Sequence, residues 1–243
     1  MPLDVSKIIQ YPLKAGQFFA EDCSALNKII VIHHTAGSSN PFQVIDGWNA
    51  TPERVGTPFV IGGKFVANPN HVWKDGDILQ CFSSKYYDYH LGLKTANATS
   101  IAKSAIGIEL CNYGSVALYN DKYYAYTGRE IPKDEVISYE QAFRQHPKTA
   151  FFDKIGASYK PAFAYQRYTD AQIASLKDLI IYLCNKYPKI TKAYNADMWD
   201  TNNNALSGKA GVWTHVSYRK DKVDAHPQPN LIAALKTLEF HAI

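Results

Sequence analysis

Three residues set far apart in a chain of 243 residues offer the donor types of a hydrolytic zinc centre. Such a centre takes three protein ligands from His, Asp, Glu or Cys and leaves the fourth tetrahedral position for water. His33 ends the β-branched run that begins at Lys28, His215 follows Val212-Trp213-Thr214, and Asp224 stands nine residues further on, between Lys222 and His226. A strand end and a loop returning past it can bring an imidazole and a carboxylate to one point. The same spacing also suits a solvated basic turn. His34 competes with His33 for the first place and is expected behind the ligands or pointing away from them. Glu109 lies inside an apolar run, Ile106 to Leu110, as either a buried salt-bridged carboxylate or a proton carrier.

These side chains need a sheet to present them. Apolar runs with turn punctuation at 28–33, 57–61, 65–67, 78–82, 105–110 and 212–216 predict the strands of one sheet. Thr169 to Tyr187 predicts a helix. Thr169 and Gln172 match a capping box, Ile173, Leu176, Leu179, Ile180 and Leu183 recur at helical spacing, and Pro188 stops the run. Shorter helices are expected over 41–50 and 229–240, the second opened by a proline suited to a first turn. The fold class is therefore α/β, of the α+β layered kind, with a mixed central sheet flanked by helices. Between Tyr113 and Tyr168 nine tyrosines crowd a segment of weak periodicity, read as an insertion at about 113–168 in a single domain spanning 1–243. Such a crowd packs a loop-rich subdomain more often than it stacks on sugars.

With 46% hydrophobic and 20% charged residues, the chain can bury a core and is unlike a disordered segment. Its net charge of +4 suits an anionic polymer but falls short of a nucleic-acid-binding patch, so no nucleic acid is expected as partner. No run approaches the roughly 18 apolar residues of a membrane span. Met1 to Lys7 lacks the basic and apolar regions of a secretory signal, so either export takes another route or a leader has been removed. Cys23, Cys81, Cys111 and Cys184 show no C-x-x-C pairing and are expected as buried free thiols. His71, His146, His226 and His241 have no motif context and are expected at the surface.

Four motifs then occur in one order: His33-His34-Thr35-Ala36-Gly37, Ile106-Gly107-Ile108-Glu109-Leu110, Thr214-His215, and Lys222-Val223-Asp224 with Pro227. This order resembles the zinc-dependent N-acetylmuramoyl-L-alanine amidases of the amidase-2 group, which includes amidase-type phage lysozymes, a cytosolic anhydro-muropeptide amidase and the peptidoglycan recognition proteins. The resemblance runs over about 28–112 and 170–235. Each motif alone is weak; the four in sequence order are specific.

The resemblance implies Zn2+ held by His33, His215 and Asp224, with Glu109 as catalytic carboxylate and Lys222 as the cation that steadies an oxyanion. It implies peptidoglycan or muropeptides as partner and a monomeric hydrolase cutting the bond between N-acetylmuramic acid and L-alanine. His90, in Tyr89-His90-Leu91-Gly92, resembles a cleft-lining segment that contacts glycan or peptide stem. Trp48 sits where the family often places groove residues, though a tryptophan on a short helix more commonly packs. The phage enzymes carry a tyrosine where this chain reads Val55-Gly56-Thr57-Pro58-Phe59. Thr57 is therefore expected at the substrate, and the tyrosine's role is vacant or passes to Glu109. Two rivals stand beside this reading: a non-catalytic peptidoglycan-binding module, and a zinc peptidase cutting elsewhere in the stem. The missing leader leans toward phage or cytosolic use, while the basic balance and the insertion lean toward intact wall, as for a bacteriolytic endolysin.

Overall fold

The computed structural model describes residues 3–64, 66, 68, 70–138 and 160–240. Eleven strands are described: Ile9–Gln10 (β1), Ile29–His34 (β2), Phe59–Ile61 (β3), Ile78–Gln80 (β4), Ala105–Leu110 (β5), Ser115–Tyr119 (β6), Lys122–Ala125 (β7), Glu130–Ile131 (β8), Val136–Ser138 (β9), Lys160–Gln166 (β10) and Gly211–Thr214 (β11). Six form one mixed sheet in the order β1-β4-β3-β5-β2-β11. Within it β2 runs parallel to both β5 and β11, and only the β3–β4 pairing is antiparallel. All six residues of β2 are buried. Burial on both faces is what a parallel strand between covered faces requires, and it explains the unbroken Ile29-Ile30-Val31-Ile32 run. Each of those four side chains contributes about 1.5–3 kcal/mol of burial.

The helix Asp170–Lys186 drives Ile173, Leu176, Leu179, Ile180 and Leu183 into the same core as β2 and β5. Its predicted capping box forms: the Thr169 hydroxyl accepts from the Gln172 amide N–H, and Gln172 reaches back to the Thr169 N–H. Gln172 also donates to the Cys111 carbonyl at 2.9 Å, tying the helix start to the end of β5. The helix Pro41–Ala50 buries Phe42 and Ile45 in a second cluster with Val60, Leu79, Trp73 and Cys111.

The tyrosine-rich segment is a second, antiparallel sheet in the order β8-β7-β6-β10-β9. Its two chain ends are fastened together beside the first sheet. Asn112 donates to the Gln166 carbonyl at 3.2 Å, and Gln166 accepts from the Tyr113 N–H at 2.8 Å. Residues 139–159, with Tyr139, His146 and Tyr159, lie outside the described residues, as does His241.

Several expectations shift. The strand expected over 212–216 ends at Thr214, where Thr214 and Ser217 cap a 3-10 turn over His215–Ser217. The helix expected over 229–240 is α-helical over Pro229–Lys236 and 3-10 over Thr237–Phe240. Of the strand expected over 65–67, Phe65 and Ala67 fall outside the described residues. β1 and a helix at Ala98–Ser104 carry no sequence expectation. The four cysteines are buried and free. No helix among the described residues is long and apolar enough to cross a membrane.

Candidate metal centre

Ligands of α/β sheets collect beyond the carboxyl ends of parallel strands, and the chemistry-bearing residues gather there. β2 and β11 pair with Thr214 opposite Ile32, so the residues that follow, His33 and His215, lie side by side. The Asp224 segment returns to this point, its carbonyl accepting from the Val216 N–H at 3.2 Å. The Asp224–Ala225 peptide is cis.

The three donor atoms form a nearly equilateral triangle. His33 Nδ1 lies 3.1 Å from His215 Nδ1 and 3.1 Å from Asp224 Oδ2, and His215 Nδ1 lies 3.0 Å from the same oxygen. A tetrahedral ion with bonds of about 2.0–2.1 Å has ligand–ligand edges of about 3.3 Å. The triangle is one face of that figure. Both histidines are buried, at 2% and 5% exposure, while the Asp224 side chain is 13% exposed. The carboxylate therefore stands on the solvent side.

Proton placement decides what the triangle can hold. His215 Nε2–H donates to the Leu91 carbonyl at 3.1 Å, which points the ring's Nδ1 into the triangle. His33 Nε2 lies 2.8 Å from His90 Nδ1. With His33 as donor there, its own Nδ1 faces the triangle as an acceptor; this tautomer is assigned from the partners. Burial, then the charge of His215, lowers the His33 pKa to about 4, so its imidazole is neutral at physiological pH. Burial works to raise Asp224, but the facing imidazoles of His215 and His33 outweigh it and hold the carboxyl well below its usual range. Two imidazole nitrogens and one carboxylate oxygen thus converge on one point. The donor set of two imidazoles and one carboxylate suits zinc.

Glu109 is the register partner of His33 across β2 and β5, so it faces the same side of the sheet one strand away, about 5 Å. Its Oε2 is buried and has no hydrogen-bond partner among the described residues. Burial, followed by the negative charge of Asp224, raises its pKa well above the usual carboxylate range, and the nearby Lys222 opposes that shift. Lys222 is half-buried on the Asp224 loop, where its charge also acts on His33. The structure thus brings His33, His215, Asp224, Glu109 and Lys222 to one strand-end pole.

The three residues expected at the substrate are placed differently from one another. His90 is half-buried behind His33, its backbone N–H donating to Asp88 Oδ1 at 2.9 Å. Thr57 is fully buried, its hydroxyl spent on the Phe59 carbonyl at 2.8 Å, and its methyl lies where a Cβ on Gly107 would stand. Trp48 packs from its helix against the backbone at Gly56 and the cluster around Leu13. Grooves of about 570 and 520 Å3 lie at the opposite pole of the sheet, around Lys186 and Lys189 and around Lys28 and Lys103, and hold none of the ligand residues.

His226 is not at the surface: it is wholly buried, stacked on Tyr165 at 4.2 Å, because the loop that carries Asp224 dives inward after it. His71 is half-buried, stacked on Phe42. His34 points away from the ligands, as the next residue of a strand must, and bonds to Tyr168. Sequence reading missed the Leu91 carbonyl, a backbone group with no residue-type signal. It also missed the link from His90 to His33, although the Tyr89-His90-Leu91-Gly92 segment marks the place.

No match is found among curated proteins. Similar solved structures include the Staphylococcus aureus hydrolase AmiA in complex with its ligand, at 10% identity over 96% of this chain and 83% of that one, with a TM-score of 0.47. A selenomethionine derivative of AmpD is 16% identical over 98% and 100% of the two chains, with a TM-score of 0.46. PlyL is 12% identical over 94% and 96%, with a TM-score of 0.46. The sequence model of the amidase-2 family, described as N-acetylmuramoyl-L-alanine amidase, matches residues 25–229. With the match covering most of the chain, the protein belongs to the amidase-2 family of N-acetylmuramoyl-L-alanine amidases.

Proposed function

We propose that this chain is a zinc-dependent hydrolase that cuts the amide between N-acetylmuramic acid and L-alanine in peptidoglycan or its fragments. The observation that carries the reading is the triangle of His33 Nδ1, His215 Nδ1 and Asp224 Oδ2, with edges of 3.0–3.1 Å. These residues would hold the ion. When bound, zinc lowers the pKa of water from about 16 to about 7, polarises a carbonyl, and counters the effect of Asp224 on Glu109.

Glu109, on the same face as His33, takes the proton of the attacking water and passes it to the departing alanine nitrogen. Its buried, proton-avid carboxyl suits both directions of transfer, and such a group is worth about 10²–10⁴ in rate. Lys222 donates to the carbonyl oxygen as negative charge gathers there. The C–N bond breaks, leaving a carboxylate on the muramic acid and a free amine on L-alanine.

Metal analysis coupled to digestion of purified sacculi tests this reading. The wild-type chain is expected to hold one zinc and to release peptides that begin with L-alanine. Glu109→Ala should keep the metal and lose activity, whereas His215→Ala should lose both. Binding without release would make the chain a recognition module, and cuts elsewhere in the stem would make it a peptidase. Either result overturns the proposal.

A further inference from the structure

The triangle of ligands rests on three chain segments, and two of its sides are closed by backbone. His33 and His215 are joined through the β2–β11 ladder, and His215 and Asp224 through the Val216 N–H to the Asp224 carbonyl. The remaining side runs between β2 and the Asp224 loop. On the face of β2 away from the ligands, side chains span it. Tyr168 Oη lies 2.8 Å from His34 Nδ1, 3.0 Å from His226 Nδ1 and 3.1 Å from the His226 N–H, which donates to it. His34 follows one ligand by one residue, and His226 follows another by two.

Proton bookkeeping gives this group a single direction. The Tyr168 N–H donates to Gln228 Oε1 at 3.0 Å, which fixes the amide, and Gln228 Nε2 donates to the Gln166 carbonyl at 3.0 Å and to His226 Nε2. His226 Nε2 is therefore an acceptor and its Nδ1 carries the proton. That proton goes to Tyr168 Oη at 3.0 Å, with a longer contact of 3.3 Å to His34 Nδ1 beside it, and the His226 backbone N–H also goes to Tyr168 Oη, so the acceptor left for the phenol's own proton is His34 Nδ1. The hydroxyl accepts twice and donates once, which exhausts it. Tyr168, His226 and Gln228 are each 0% exposed and His34 is 4% exposed, so water offers no substitute partner. His34 Nε2 finds no partner among the described residues, but the three bonds of the Tyr168 hydroxyl, made in a buried setting, favour one arrangement of the segments they join.

We infer that Tyr168 is a positioning residue for the metal centre: its hydroxyl closes the third side of the ligand triangle and sets how far Asp224 stands from His33. The inference rests on the zinc reading and adds to it a residue that touches neither ion nor substrate. Outer partners of metal ligands typically carry about 10–100-fold in metal affinity.

The test measures zinc affinity by competition with a chromophoric chelator, together with the thermal midpoint of the metal-free chain. Tyr168→Phe is expected to bind zinc about 10–100-fold more weakly than wild type. Ile180→Val, which loosens the core away from the network, lowers the midpoint and leaves zinc affinity unchanged. If Tyr168→Phe lowers the midpoint but binds zinc as wild type does, the positioning role is wrong. Should Tyr168→Phe not fold, His34 supplies the same test. His34→Asn keeps an acceptor near the Nδ1 position and should hold zinc at least tenfold more tightly than His34→Leu, and equal affinities overturn the inference. Failure of wild type itself to bind zinc would instead remove the metal reading, a distinguishable result.

Discussion

Asp88 is the strongest untested lever on the centre. It is 2% exposed, its Oδ1 accepts from the His90 N–H, and its Oδ2 is buried with no partner among the described residues. Burial, only partly offset by the bond from His90, pushes its pKa from 3.8 up to about 8. The folded chain therefore holds a proton that the unfolded chain releases near pH 4. A raised carboxyl pKa contributes stability that is full below the unfolded value and is lost as pH climbs to the folded one. The interval of about 4 pH units, at about 1.4 kcal/mol each, sets a ceiling of roughly 6 kcal/mol lost between about pH 4 and pH 8. Asp88→Asn keeps the acceptor for His90 and has nothing to titrate. Between about pH 5 and pH 7 the wild type should therefore lose about 3 kcal/mol relative to the variant. Urea unfolding of both proteins at those two pH values reads the difference directly, with the remaining titrations common to both. Parallel pH profiles would show that Asp88 is ionised in the folded chain. His90 would then be held by a charged carboxylate and not by a protonated one.

Two further outcomes follow from the same geometry. Lys222→Met should cost about 10²–10³ in turnover while zinc stays bound, because the lysine meets charge that develops only during reaction; assays of turnover and metal content on one preparation check this, and a loss confined to KM would assign Lys222 to ground-state binding. Burial, and then the charges of Asp88 or Glu109, push the Cys81 and Cys111 thiols well above their usual value. All four cysteines should resist a thiol-specific disulfide reagent in the native chain and react together in denaturant, and fast labelling of any one would show an opening the fold lacks.

How far the sequence carries the site depends on where each residue gets its partners. His33 and Glu109 were legible because both sit in short apolar runs, whose strand character is local, and parallel pairing then made them neighbours. The helix at Asp170–Lys186 was legible for the same reason, its cap and its apolar stripe lying within one segment. β1 was not, since Ile9 and Gln10 are a strand only because Leu79 and Gln80 lie beside them. The tyrosine-rich sheet escaped because strands such as Ser115–Tyr119 and Lys122–Ala125 show no alternation of buried and exposed positions. His226 was misplaced through its neighbours. A stretch that opens Lys220-Asp221-Lys222 reads as solvated, yet the residue's burial comes from Tyr168, 58 positions away. Thr57 and Trp48 were drawn toward the substrate by likeness to other chains, and the hydrogen bond from Thr57 to Phe59 has no sequence signature.

The three candidate ligands differ in what holds them, and on the proposed reading that difference would bear on catalysis. His33 belongs to a central strand whose backbone is bonded on both sides, and His215 follows a strand paired with it. Sites carried on such elements keep their geometry more closely than sites on loops. Asp224 alone comes from a loop, held by one backbone bond to Val216 and, through His226, by Tyr168. The imidazoles therefore stand at strand ends and the carboxylate on a loop, on the solvent side, with Lys222 on the same loop. A shift of that loop would move Lys222 together with Asp224. On the proposed reading, one loop would couple the charge of a metal site to the stabilisation of the reacting carbonyl, while Glu109, on β5, stays in register with His33.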